Sequence, residues 1–248
     1  AGKRLRFVSM SELTVIRHGQ ASFFSEDYDQ LSSLGKEQAE LLGQFLGERG
    51  RTFDEVYLGP KKRHRETFDL LRHAYLQTGR ILPEPVLLDG LDEYGIDQFV
   101  RGIGEEELHL NPKLGRLHAE LNAAVESKAK IRAFQTLFQA VAERWMTGEL
   151  GHPDVECWDT FKGRVGTAVD RMTQRLGSGR QILAISSAGT IGLILQRAIG
   201  CSNLKALELS WRIRNTALSE FLFSEGRFGL DMFNTMSHLR SEQLWTYR

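Results

Sequence analysis

The chain has 248 residues, 41% of them hydrophobic, and its 32 basic and 32 acidic side chains cancel to a formal charge of zero. That length builds one large core, or one core with a smaller cap. A neutral balance offers no general field for nucleic acid or an anionic membrane, so neither is expected as a partner and any anion site has to be local.

Residues 1–12 read as an N-terminal extension: basic at first, without the apolar stretch and cleavage site of a signal peptide. Leu13, Thr14, Val15 and Ile16 then predict a short buried strand, and Arg17, His18 and Gly19 follow it directly. Open α/β sheets place ligands at the carboxyl ends of their strands. Arginine offers a planar fork to phosphate oxygens, and a neutral imidazole nitrogen can attack phosphorus. A lone histidine beside a strand is as often a packed core residue, so this reading needs partners elsewhere in the chain.

Ala39, Leu42, Phe45 and Leu46 fall at helical spacing, with Ser32 or Ser33 as N-cap and Gly50 as stop. A strand over 53–58 leads through Gly59 and Pro60 into a helix over 62–76. This alternation implies parallel strands with right-handed crossovers. Residues 83–104, rich in Pro, Gly and Asp, read as an ordered loop excursion. Residues 105–147 turn helical, broken at Asn111 and Pro112, and a further helix is expected over 158–176. A buried strand over 181–186 precedes a helix over 189–198, and strands over 217–223 and 228–233 close the chain as a hairpin. The fold class expected is α/β: a three-layer α/β/α sandwich with a mostly parallel central sheet. One domain over 13–248 would carry a helical insertion at about 95–151 that caps the active site. Cys157 and Cys201 are too few for a disulfide framework and lack metal-ligand spacing; they read as small buried hydrophobes in a reducing cytoplasm. No apolar run approaches the ~20 residues that span a bilayer.

Three more segments lie at strand ends and are expected to converge on His18. Arg63 sits on the first turns of the second helix, where unpaired N–H groups already favour anions; its neighbours Lys61, Lys62 and Arg65 read as a solvated face. Asp92 and Glu93 are carboxylates in the irregular excursion. Residues 185–190, a strand-to-helix turn, carry Ser186, Ser187 and Gly189, whose hydroxyls and backbone N–H groups suit an oxyanion.

Taken together these motifs resemble the histidine phosphatase, or phosphoglycerate mutase-like, superfamily. Arg17-His18-Gly19 after an N-terminal strand is its signature. Gly59, Pro60, Arg63, Glu66 and Thr67 are similar to its second segment, Leu91, Glu93 and Gly95 to its acid-bearing loop, and Asn215, Phe233, Asn234, His238 and Leu239 to its closing strands. The resemblance implies that His18 is the nucleophile, Arg17 and Arg63 bind the phosphoryl oxygens, and Glu93 is the general acid and then base. Ser187 and Gly189 would complete phosphate binding, with no metal and no cofactor.

Two departures shape the expectation. Ser187 stands where the family normally has a second histidine, and His64, His73 and His238 fall in other segments, none an obvious substitute. Losing a charged hydrogen bond costs roughly 1.5–3 kcal/mol, or about ten- to a hundred-fold in rate. The loop after the nucleophile, with Phe23, Phe24 and Tyr28 as an apolar or stacking wall, lacks the serine and asparagine typical of mutases. The reading is a cytoplasmic, metal-independent phosphomonoesterase acting through a phosphohistidine on a phosphorylated small molecule or phosphoprotein. The alternatives are an impaired phospho-ligand-binding pseudoenzyme and, less favoured, a phosphoglycerate mutase. The sequence admits a homodimer without specifying one.

Overall fold

In the computed structural model β1 (Ser11–Arg17) starts two residues ahead of its apolar run, because Glu12 already pairs with Gln181. Arg51 draws the Glu12 carboxylate and that of Glu220 (2.8 Å) to the opening turn of the strand. The structure describes residues 10–22, 29–96, 100, 103–174 and 179–247. After β1 come α1 (Ser33–Glu48), β2 (Glu55–Leu58), α2 (Lys62–Leu76) and β3 (Pro85–Leu87). Next are α3 (Glu105–Leu110), α4 (Pro112–Ala123), α5 (Ser127–Thr147) and α6 (Trp158–Thr173). The chain ends with β4 (Gln181–Ser186), α7 (Ala188–Ile199), α8 (Asn203–Ser210), β5 (Leu218–Ser224) and β6 (Arg227–Thr235).

The six strands form one sheet in the order β3-β2-β4-β1-β5-β6. β3, β2, β4 and β1 run parallel, while β5 and β6 are antiparallel additions. Side chains alternate across the sheet. Ile16, Val56, Leu58, Leu183 and Ile185 meet Leu42 and Leu46 of α1 and Phe68, Leu71 and Tyr75 of α2 in one buried cluster. Leu13, Val15, Ile182 and Ala184 are buried at the alternate positions, and α7 packs on β1 and β6. The carboxyl ends of β1, β2 and β4 therefore lie side by side.

Two compact units divide the chain: residues 1–93 with 164–248, holding the sheet, and residues 94–163. The smaller unit is helical around an aromatic centre in which Tyr94 stacks on Trp145 at 5.1 Å and meets Phe161 edge-on at 5.3 Å. Pro112 at the first position of α4 explains the break after α3. A second break, at Ala124–Glu126 between α4 and α5, carries no sequence signal.

Several expectations change. The excursion over 83–104 contains β3, whose three residues add to β2 at the sheet edge. Its Val86 and Leu87 are exposed, so no apolar pattern marks it. Cys157 is exposed and Cys201 half-buried rather than both being core. Ser32 is the N-cap of α1, accepting from Gly35 N at 3.0 Å. Among the described residues no helix is long and apolar enough to cross a membrane.

Candidate active site

Backbone bonds from three elements hold the residues that follow β1. His18 N donates to Ser186 O (3.0 Å), Asn215 Nδ2 donates to His18 O (3.0 Å), and Gly19 N donates to Thr67 Oγ1 (3.0 Å). Thr216 sits in the left-handed region at φ 56°, which lets its N–H reach Arg17 O at 3.0 Å. A threonine in that conformation is strained, and such strain persists only where neighbours over-determine it. Gly19 has no room for a side chain: a Cβ would lie 2.4 Å from Gly35 O.

The His18 ring is 5% exposed, and its Nδ1 lies 2.7 Å from Gly19 O. A carbonyl only accepts, so Nδ1 carries the proton and Nε2 is the basic nitrogen of the neutral ring. Burial, followed by the Arg63 and Arg17 guanidiniums, holds its pKa well below the usual histidine range. The ring is neutral, and so nucleophilic, at physiological pH.

Arg17 donates through Nη1 to Ile213 O. Arg63 is 8% exposed; its Nη1 donates to Asp29 Oδ1 (2.8 Å) and Nη2 lies 3.5 Å from Ser187 Oγ. Arg63 Nε has no hydrogen-bond partner among the described residues. Leaving a buried N–H of a cation unpaired costs about 1–3 kcal/mol or more. Lys62 and Arg65 are exposed as expected, and Lys61 pairs with Asp92 at 3.5 Å.

Glu93 is bound to the turn after β4: its Oε2 accepts from Gly189 N at 3.1 Å. The loop carrying it is strapped there by Ser186 Oγ donating to Leu91 O (2.7 Å) and Thr190 Oγ1 donating to Asp92 O (2.6 Å). Arg164 adds bonds to Asp92 O (2.9 Å) and Glu93 O (3.3 Å). The Gly189 N–H expected to face a phosphate thus serves Glu93. Ser187, expected to do the same, is fully buried, with its Oγ 2.7 Å from His64 Nε2.

His64 is what the sequence reading missed. Set aside as belonging to another segment, it is fully buried, with its ring centroid 5.6 Å from that of His18. Adjacency to Arg63 on the first turn of α2 was the available signal. Asp29 and Asn215 were likewise unassigned; short polar side chains give no clue until the chain folds back. His238 is also buried but bonds Thr216 Oγ1 (2.9 Å) behind the loop. Phe23, Phe24 and Tyr28 lie outside the described residues. Among the described residues no group of three or more His, Cys, Asp or Glu is arranged to hold a metal ion.

Residues 13–112 and 120–236 match the family model described as histidine phosphatase superfamily, branch 1. No curated protein matches the sequence. Among solved structures, the fold superposes on a putative alpha-ribazole-5'-P phosphatase from Escherichia coli with a TM-score of 0.62, at 21% identity over 92% of this chain and 97% of that one. A phosphoglycerate mutase from Bacillus anthracis gives 0.61 at 17% identity over 93% and 96%. A mycobacterial glucosyl-3-phosphoglycerate phosphatase, solved with inorganic phosphate, gives 0.59 at 16% identity over 92% and 99%. At these identities the likeness is one of fold; the family match spans most of the sequence, and the chain belongs to the histidine phosphatase superfamily, branch 1.

Proposed function

We propose that the protein is a metal-independent phosphomonoesterase that works through a phosphohistidine on His18, with a phosphorylated small molecule as substrate. The observation that carries the reading is the pinned tautomer: Nδ1–H engaged by Gly19 O, Nε2 basic, beside a buried Arg63 with an unpaired N–H. In the first step Nε2 attacks phosphorus, the N–P bond forms, the P–O bond to the leaving alkoxide breaks, and Glu93 supplies the alkoxide with a proton. In the second, the Glu93 carboxylate takes a proton from water, the resulting hydroxide attacks phosphorus, and the N–P bond breaks to release inorganic phosphate. Arg17 and Arg63 offset the charge on the non-bridging oxygens, the main demand of phosphoryl transfer, and splitting the displacement lowers each barrier. Phosphatases among the structural relatives agree with hydrolysis but do not identify the substrate.

Quenching turnover of a phosphomonoester radiolabelled in its phosphoryl group with alkaline detergent, then exposing separate portions to alkali and to acid, tests this. A base-stable, acid-labile phosphoprotein is expected in the unaltered chain and not in His18→Ala; its absence while phosphate is being released would overturn the mechanism. One observation favours the rival reading of a phospho-ligand-binding pseudoenzyme: Ser187 is buried against His64 and offers no donor at the surface of the site. Calorimetric binding of inorganic phosphate with no hydrolysis across a phosphomonoester panel would establish that rival.

A further inference from the structure

Two walls of the anion site come from different parts of the chain. The first turn of α2 brings Arg63, and the turn between β4 and α7 brings Gly189 and the bound Glu93. The side-chain bond that crosses directly between them near Arg63 is His64 Nε2 to Ser187 Oγ, 2.7 Å, with both residues fully buried. Three features mark it as built for the site. His64 is the residue after Arg63, so whatever holds its ring holds the first turn of α2 that aims the guanidinium. Ser187 Oγ also lies 3.5 Å from Arg63 Nη2, so one hydroxyl contacts both the imidazole and the guanidinium. And Gly59, at the end of β2, leaves the space: a Cβ there would lie 2.4 Å from His64 Nδ1 and 2.6 Å from Leu91 O.

We infer that His64 and Ser187 form one staple that holds Arg63, and the face of the His18 ring beside His64, in register for a phosphoryl group, so that both are positioning residues. The inference rests on the reading of the site given above. Neither side chain touches solvent, so neither meets the ligand directly; they act through Arg63 and His18. A bond between two buried side chains is coupled, and removing either end forfeits the whole. Because Ser187 is fully buried and its Oγ already lies 2.7 Å from His64 Nε2, a second imidazole at position 187 would compete with the first for the same space. The imidazole can be carried by either end of the staple but not by both.

Calorimetry of inorganic phosphate and vanadate binding, with thermal melts beside it, provides the test on the full chain. Ser187→Ala and His64→Ala should each weaken vanadate binding by roughly tenfold, and the double variant should be no weaker than the worse single one. Ser187→His alone should lose more affinity than Ser187→Ala, while Ser187→His with His64→Ala should recover most of it. His64→Gln, which keeps a hydrogen-bonding head near the Nε2 position, guards against a misfolded alanine variant and should bind better than His64→Ala. Unchanged affinity in folded Ser187→Ala and His64→Ala, with only a lowered melting temperature, or His64→Gln binding no better than His64→Ala, would overturn the staple and leave the phosphatase reading intact. Failure of the unaltered protein to bind either anion would overturn the anion site and the staple with it.

Discussion

Glu93 Oε2 accepts the backbone N–H of Gly189 at 3.1 Å, which ties the only carboxylate assigned to proton transfer to the first turn of α7. The bond fixes the position of the carboxyl group through one of its oxygens. Glu93→Gln keeps an acceptor for Gly189 and removes the exchangeable proton. Turnover should fall by about 10²–10⁴, more for alkyl phosphates than for p-nitrophenyl phosphate, whose leaving group needs little protonation. Equal losses for both substrates, measured as kcat/KM, would remove Glu93 from the role of acid.

Asp29 has two tasks. Its Oδ2 accepts from Lys62 N at 2.9 Å, capping α2 where Lys61 contributes no side-chain cap, and its Oδ1 holds Arg63 at 2.8 Å. A carboxylate on that guanidinium also opposes an incoming dianion. Asp29→Asn keeps the cap and drops the charge, so inorganic phosphate should bind several-fold tighter, about 1 kcal/mol even with the screening of bulk water. Asp29→Ala should in addition lose about 1 kcal/mol of stability with the cap. Weaker phosphate binding in Asp29→Asn would mean that orientation of Arg63 outweighs neutralisation.

Three histidines are buried with depressed pKa values: His18 and His64 well below the usual 6.5, and His238 at about 4, burial being the leading cause in each. Between pH 6.5 and those lower values the unfolded chain binds protons that the folded one refuses, so stability is full above about 6.5 and falls as pH drops. Replacing His238 by Asn, which cannot be protonated, should flatten this slope; from pH 6.5 to 5 the single group accounts for about 1.5 kcal/mol. Urea midpoints at the two pH values measure it. A kinetic counterpart follows from His18: because its ring stays neutral, no loss of kcat/KM from protonating the nucleophile should occur until pH is well below 6.5.

Where α1 begins, Gly35 passes so close to the nucleophile loop that a Cβ would lie 2.1 Å from Gln20 O, and Gly19 faces Gly35 O in the same way. Gly35→Ala therefore has to push the His18 loop off its seat. It should cost about 1–3 kcal/mol and lower kcat of the folded fraction as well, whereas a conservative change on the solvent side of α1, Glu40→Gln, should do neither. Denaturation curves paired with active-site titration separate the two effects.

Local pattern carried the elements with strong periodicity or sharp punctuation. The apolar runs of β1 and β4, the spacing of α1 and α2, and the hairpin of β5 and β6 are all visible because a buried face or a Gly-containing turn leaves a short-range mark. β3 left none: it is three residues at an edge, two of them exposed, and exists because β2 offers it backbone partners. The break between α4 and α5 is silent for a similar reason, having neither proline nor glycine.

Chemistry divided along the same line. That Arg17, His18, Arg63 and the loop of Asp92 and Glu93 lie at strand ends was readable from the chain, because the carboxyl edge of a parallel sheet follows from the order of strands and helices; the choice of Glu93 over Asp92 came from the family resemblance. How those groups are held was not, because each hold joins segments far apart in sequence: Asn215 to the His18 carbonyl, Asp29 to Arg63, Gly189 to Glu93. The same applies to Ser187. As a letter in the sequence it is a lost histidine; in the fold it is one end of a buried bond to His64, a contact 123 positions away that packing creates and periodicity cannot encode.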